Sequence, residues 1–79
     1  MAHHLGTEDV TYDAVSILYH CLQGAETYEK YADDAARAGD EELVNFFREI
    51  QQGEIHCAER LKELLKKRLS KETTSYAAA

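Results

Sequence analysis

Glu54 is the residue whose position most needs a physical reason. It falls inside an apolar stripe of helical spacing, between Ile50 and Leu61, where a carboxylate is costly unless it is paired, protonated or bound to a metal. Cys57 follows one helical turn later, at the i, i+3 spacing that lets two side chains of one helix grip a single ion. The other cysteine is Cys21, and each cysteine is preceded by a histidine, as His20-Cys21 and His56-Cys57. Neighbouring helical residues point about 100° apart, so with the cysteines facing inward the histidines fall on the flank. Thiolates select softer ions than carboxylates alone. A metal centre of Glu54, Cys57 and Cys21, with His56 as an outlying ligand, is therefore expected to suit zinc or a sulfur-rich iron site. The same two cysteines admit a different chemistry, a disulfide that opens and closes between facing helices. They also admit none, since Cys commonly serves as a small core hydrophobe.

Two helices must position these groups. Positions 7–38 contain one Gly and no Pro, and Val10, Ala14, Ile17, Leu18, Cys21, Ala25, Tyr28, Ala32, Ala35 and Ala36 recur at the period of an amphipathic helix. Thr7 is the expected N-cap, with Glu8 and Asp9 where the helix dipole favours anions. Gly39 supplies the left-handed residue that ends this helix, and Asp40 starts the next. The second helix is expected over about 41–69, with its stripe at Leu43, Phe46, Phe47, Ile50, Gly53, Glu54, Cys57, Leu61, Leu64 and Leu65. Lys66, Lys67 and Arg68 would then sit beside its terminal carbonyls. Residues 1–6 and 71–79 are expected to be flexible tails. Glu26 with Lys30, Asp33 with Arg37 and Glu63 with Lys67 are candidate i, i+4 ion pairs.

A turn at 39–40 is short, so the helices must run antiparallel. Residues equidistant from Gly39 then lie level across the hairpin, pairing Ala32 with Phe46, Tyr28 with Ile50, Gly24 with Glu54 and Cys21 with Cys57. Packed helices usually stand too far apart for a disulfide, and Gly24 and Gly53 are the residues expected to allow a closer approach. Two helices alone leave half of each stripe wet and bury too little to offset their ordering entropy. Tyr12, Val15, Tyr19 and Leu22 add apolar surface on the far side of the first helix. The expected architecture is all-α: an antiparallel two-helix hairpin that dimerises into a four-helix bundle, as a homodimer or a higher homo-oligomer.

The stretch from Tyr28 to Leu61, YEKYADDAARAGDEELVNFFREIQQGEIHCAERL, resembles one helical hairpin of the ferritin-like superfamily, in the style of rubrerythrins and bacterioferritins. The resemblance extends over Ile17 to Leu65 and implies a bundle with two iron or manganese ions at its centre, rebuilt by dimerisation in half-length members. Tyr28 matches the family tyrosine, and Glu54 matches the first residue of the family's Glu-x-x-His motif. The first-helix glutamate falls on Cys21 and the motif histidine on Cys57, with His56 displaced by one residue. His56 would reach the centre only if a π-bulge or a local rotation turned it inward. Ile55 stands where bacterioferritins carry a haem-ligating methionine.

Composition narrows the alternatives. At 79 residues the chain closes one small core at most, which excludes a barrel or a self-contained nucleotide-binding unit. Fifteen acidic against nine basic side chains argue against a nucleic-acid partner. No apolar run is long enough for a membrane span or signal peptide, so a cytoplasmic location is the expectation. Neither a Ser-His-Asp arrangement nor a phosphate-cradling Gly loop occurs. Three functions stay open: a ferritin-like metal-binding protein, a thiol redox module built on Cys21 and Cys57, and a non-catalytic helical assembly module with a vestigial site.

Overall fold

The computed structural model describes the backbone of residues 9–78 and the side chains of residues 10–71. The described chain is all-α: α1 spans Asp9–Arg37 and α2 spans Glu41–Ala78, packed against each other. Thr7, Glu8 and the expected tail 1–6 lie outside the described residues.

Three residues turn the chain, and two of them close both helices. Gly39 adopts φ 75°, a conformation open to glycine because it lacks a Cβ. The Asp40 amide donates to the Ala35 carbonyl at 2.9 Å and the Gly39 amide to the Ala36 carbonyl at 3.0 Å, the bond pair of a Schellman ending. The Asp40 carboxylate then accepts the Leu43 amide at 3.1 Å, capping the first turn of α2. Glu41 and Glu42 occupy that first turn, where the dipole favours them.

The far end of α2 departs from expectation. The helix runs to Ala78 instead of ending near residue 69, so Lys66, Lys67 and Arg68 lie within it and its last turn holds no basic residue. The physical reason is the absence of any stop signal. No Gly or Pro follows Leu69, and nothing else local obliges the backbone to leave the helical conformation.

The register matches the level pairing expected from a turn at Gly39. Cys21 meets Cys57, Gly24 lies under Glu54, Tyr31 stacks edge-on against Phe47 at 5.8 Å, and Arg68 donates to Thr11 at 3.0 Å. The rotation of each helix differs from the stripe in an instructive way. Among the described residues the seam buries small side chains, Cys21, Ala32, Ala35 and Ala58, with Leu65 the one large apolar residue that is buried. Thr11 and Gln51 join them, and Gln51 donates to the Ala25 carbonyl and to Glu29 Oε1, both at 2.9 Å. Close helix packing rewards small residues, whereas large ones are pushed to its margins. Val10, Ile17, Leu43, Phe46 and Leu64 of the expected stripe are accordingly exposed, Phe46 at 52%. Tyr12, Val15, Tyr19 and Leu22 on the far side of α1 are exposed as well.

The ion pairs also differ from the expected set. Arg37 pairs with Asp34, Arg60 with Glu63 and Lys62 with Glu59 at i, i+3 spacing, all on exposed surface. Arg48 crosses the seam to Glu29 at 2.7 Å and helps Gln51 hold the two helices in register. These contacts depress the carboxyl pKa of Glu29, with the Gln51 hydrogen bond the largest cause and Arg48 the next.

Candidate functional site

The centre of the hairpin is built from two i, i+3 pairs facing each other. Cys21 and Gly24 lie one turn apart on α1, and Glu54 and Cys57 lie one turn apart on α2. Antiparallel register sets Cys21 against Cys57 and Gly24 against Glu54. Cys21 is a buried residue at 5% exposure, Cys57 is half-buried, and both are free thiols. The Cys21 thiol donates to Cys57 Sγ at 3.0 Å. That separation is about 1 Å longer than the S–S bond of a disulfide. The two sulfurs are thus already in contact, with no intervening group.

Glu54 is half-buried, and the position of its carboxylate depends on a missing side chain. A Cβ placed on Gly24 would come within 2.6 Å of Glu54 Oε2, closer than two such atoms can stand. Gly24 therefore forms a slot in α1 that the Glu54 carboxylate fills. Gly53 has no such role. It is exposed and a Cβ there would meet nothing within 4 Å, so the expectation that it lets the helices approach is corrected.

The chemistry of Cys21 follows from these neighbours. Its thiol is pushed up from 9.0 to about 11, first by the hydrogen bond to Cys57, then by burial, then by the negative charges that Cys57 and Glu54 carry when ionised. Cys21 therefore keeps its proton through neutral pH. Cys57, the half-buried member of the pair, is the sulfur that a solute reaches first.

The proposed metal ligands are only partly brought together. Cys21, Cys57 and Glu54 share the centre, yet among the described residues no three His, Cys, Asp or Glu side chains are placed to hold one metal ion. His56 is exposed on a helix that is regular α through that position, so no π-bulge turns it inward. His20 is exposed too, its ring edge-on to Tyr19 at 5.5 Å. Among the described residues no helix is long and apolar enough to cross a membrane. No protein-family model matches the chain, and neither a curated protein nor a solved structure is similar to it.

The residues that the sequence reading overlooked are Gln51, Ala58 and Thr11, which fill the seam on either side of the thiols. Polarity hid Gln51 and Thr11. Their signal was register, because each lies level with a partner able to satisfy it, Ala25 and Glu29 for Gln51 and Arg68 for Thr11.

Proposed function

We propose that this chain is a thiol–disulfide module, in which Cys21 and Cys57 are oxidised and reduced as a pair within one hairpin. The observation that carries this reading is the 3.0 Å contact between the two sulfurs. A disulfide needs close, well-directed sulfurs more than any other group. The buried partner supplies the second thiol, and the half-buried partner supplies the point of entry for exchange in a hairpin whose Cys57 row is uncovered.

The reading includes a second copy of the chain. A compact monomer of this size exposes about 4,900 Å², whereas the hairpin exposes 6274 Å². The excess of about 1,400 Å² per chain exceeds what each partner buries in a standard-sized stable interface, about 800 Å². Leu43, Ile50, Cys57 and Leu64 recur every seven residues on α2 and so share one row, beside exposed Phe46. A homodimer through this row gives a four-helix bundle of the kind the ferritin-like resemblance implies, with the thiol pairs at its centre.

The test is a redox titration of the full chain against the reduced and oxidised glutathione couple, with thiol trapping and mass analysis. The expected result is one reversible two-electron transition in which both cysteines change together within single chains. Free thiols across the whole titration, or only disulfides between chains, would overturn the reading. Stoichiometric zinc, iron or manganese in protein purified without chelator would replace it with the metal centre of Glu54, Cys57 and Cys21.

A further inference from the structure

Gly53 stands in the middle of α2 without a reason inside its own chain. Glycine weakens a helix interior relative to every ordinary residue except proline, so its use there calls for a close neighbour. At Gly24 that neighbour is Glu54. Gly53 is exposed, and a Cβ added to it would meet nothing within 4 Å, so α1 is not what approaches it. Its surroundings on α2 are apolar. Gly53 lies seven residues from Phe46, three from Ile50 and four from Cys57, which puts it on the face of the row Leu43, Ile50, Cys57 and Leu64. That row is centred between residues 53 and 54, and the glycine marks its midpoint. We propose that Gly53 is the crossing point of the homodimer, where α2 of one hairpin lies antiparallel against α2 of a second copy, with the two-fold axis beside the glycine. The inference rests on the second copy that belongs to the thiol module and fixes where, and in which direction, it docks.

Area, symmetry and charge name the occupant. The hairpin exposes 6274 Å², about 1,400 Å² more than a compact monomer of its size, which exceeds what each partner of a stable interface buries. A two-fold interface must be self-complementary. An antiparallel crossing at residue 53 meets that condition, because it sets Leu43 beside the partner's Leu64 and Ile50 beside the partner's Cys57. Charge selects the same direction. Residues 41–52 carry three acidic side chains and one basic, whereas residues 54–71 carry six basic and three acidic, so antiparallel helices face opposite signs and parallel helices face like signs. Exposed Phe46 comes nearly level with the partner's Arg60, a cation suited to its ring.

This crossing keeps the thiols of the two chains apart. Each Cys57 lies about 3.5 residues from the axis, so the two stand about 10 Å apart along the helices, too far for a disulfide between chains. Bonding is left to Cys21 within each hairpin. Exchange at Cys57 then belongs to the hairpin before it docks.

Two measurements on the full chain test the crossing. Association is followed by analytical ultracentrifugation across a range of protein concentrations. Gly53→Leu should weaken dimerisation at least tenfold, while the separated hairpin stays helical because the added side chain meets open space. Were the glycine only a gap in an apolar face, the leucine would extend that face and tighten association. Dimers of wild-type strength or tighter in Gly53→Leu therefore overturn the crossing, and a wild-type chain that is monomeric at every concentration overturns the second copy with it. Cross-linking reads the direction. In Cys21→Ala, adding Ile50→Cys and oxidising should give a covalent dimer whose linked peptides join position 50 of one chain to position 57 of the other. Links of 57 to 57 or 50 to 50, or no covalent dimer, contradict an antiparallel axis at Gly53. Each of these outcomes is separate from the thiol reading, which is judged by oxidation of Cys21 with Cys57 within single wild-type chains.

Discussion

Oxidation of the cysteine pair should stabilise the hairpin substantially, and the structure sets the size of the effect. Cys21 and Cys57 are 36 positions apart in the chain. Closing a loop of that length removes about 13 cal/mol/K of entropy from the unfolded chain, about 4 kcal/mol at 25 °C. The folded state loses little in return, because the sulfurs are already 3.0 Å apart and need about 1 Å of approach. For a domain this small, that stabilisation corresponds to a midpoint rise of about 15 °C or more. The assay is thermal unfolding followed by circular dichroism, on fully reduced and fully oxidised protein at one protein concentration, since self-association also moves the midpoint. Cys57→Ser carried through the same oxidation is the control, and its midpoint should not move. Equal midpoints for the two wild-type forms, or a lower one after oxidation, would show that the helices must be strained to bring the sulfurs together. The geometric basis of the proposed function would then be wrong.

Other consequences are open to simpler experiments. Gly39→Ala forces a side chain into the left-handed region and should cost about 1 kcal/mol in urea unfolding, with no change in thiol exchange. Gln51→Ala removes two cross-seam hydrogen bonds and should cost about 1–2 kcal/mol by the same measurement. The Cys21 thiol is raised from 9.0 to about 11, so the stability linked to its proton is complete below pH 9 and is lost as pH rises through 11. Unfolding followed over that window should show a fall for wild type that Cys21→Ala lacks. If a second copy covers the row that carries Cys57, mixed-disulfide formation with glutathione disulfide should slow as protein concentration is raised. A rate constant independent of concentration would place the dimer contact elsewhere.

Much of the fold was legible because its punctuation is local. Gly39 and Asp40 end one helix and cap the next by rules that involve only a few neighbouring residues, and a turn located to one residue sets the level pairing of everything beyond it. That is why the meeting of Cys21 with Cys57, and of Gly24 with Glu54, could be read before any coordinates. The rotation of each helix about its axis was less legible. Apolar periodicity marks which side is greasy, but close packing selects small side chains within that side, so Ala32 and Ala58 are 1% exposed while Phe46 stands outside. Gln51 is buried for a reason no hydropathy pattern contains, namely two acceptors on the opposite helix. The continuation of α2 past residue 69 had no positive signal, only the lack of a terminator. Glu54 was singled out by its stripe, whereas its slot depends on which atom of the facing helix is missing.

The most direct test asks whether the two sulfurs bond within one chain. Protein labelled with heavy nitrogen is mixed with unlabelled protein, allowed to exchange subunits under reduction, oxidised, and digested without reduction. The predicted product is a cross-linked peptide pair joining Cys21 to Cys57 in which both halves are heavy or both are light. Pairs of one heavy and one light half, or intact thiols after oxidation, would contradict the account.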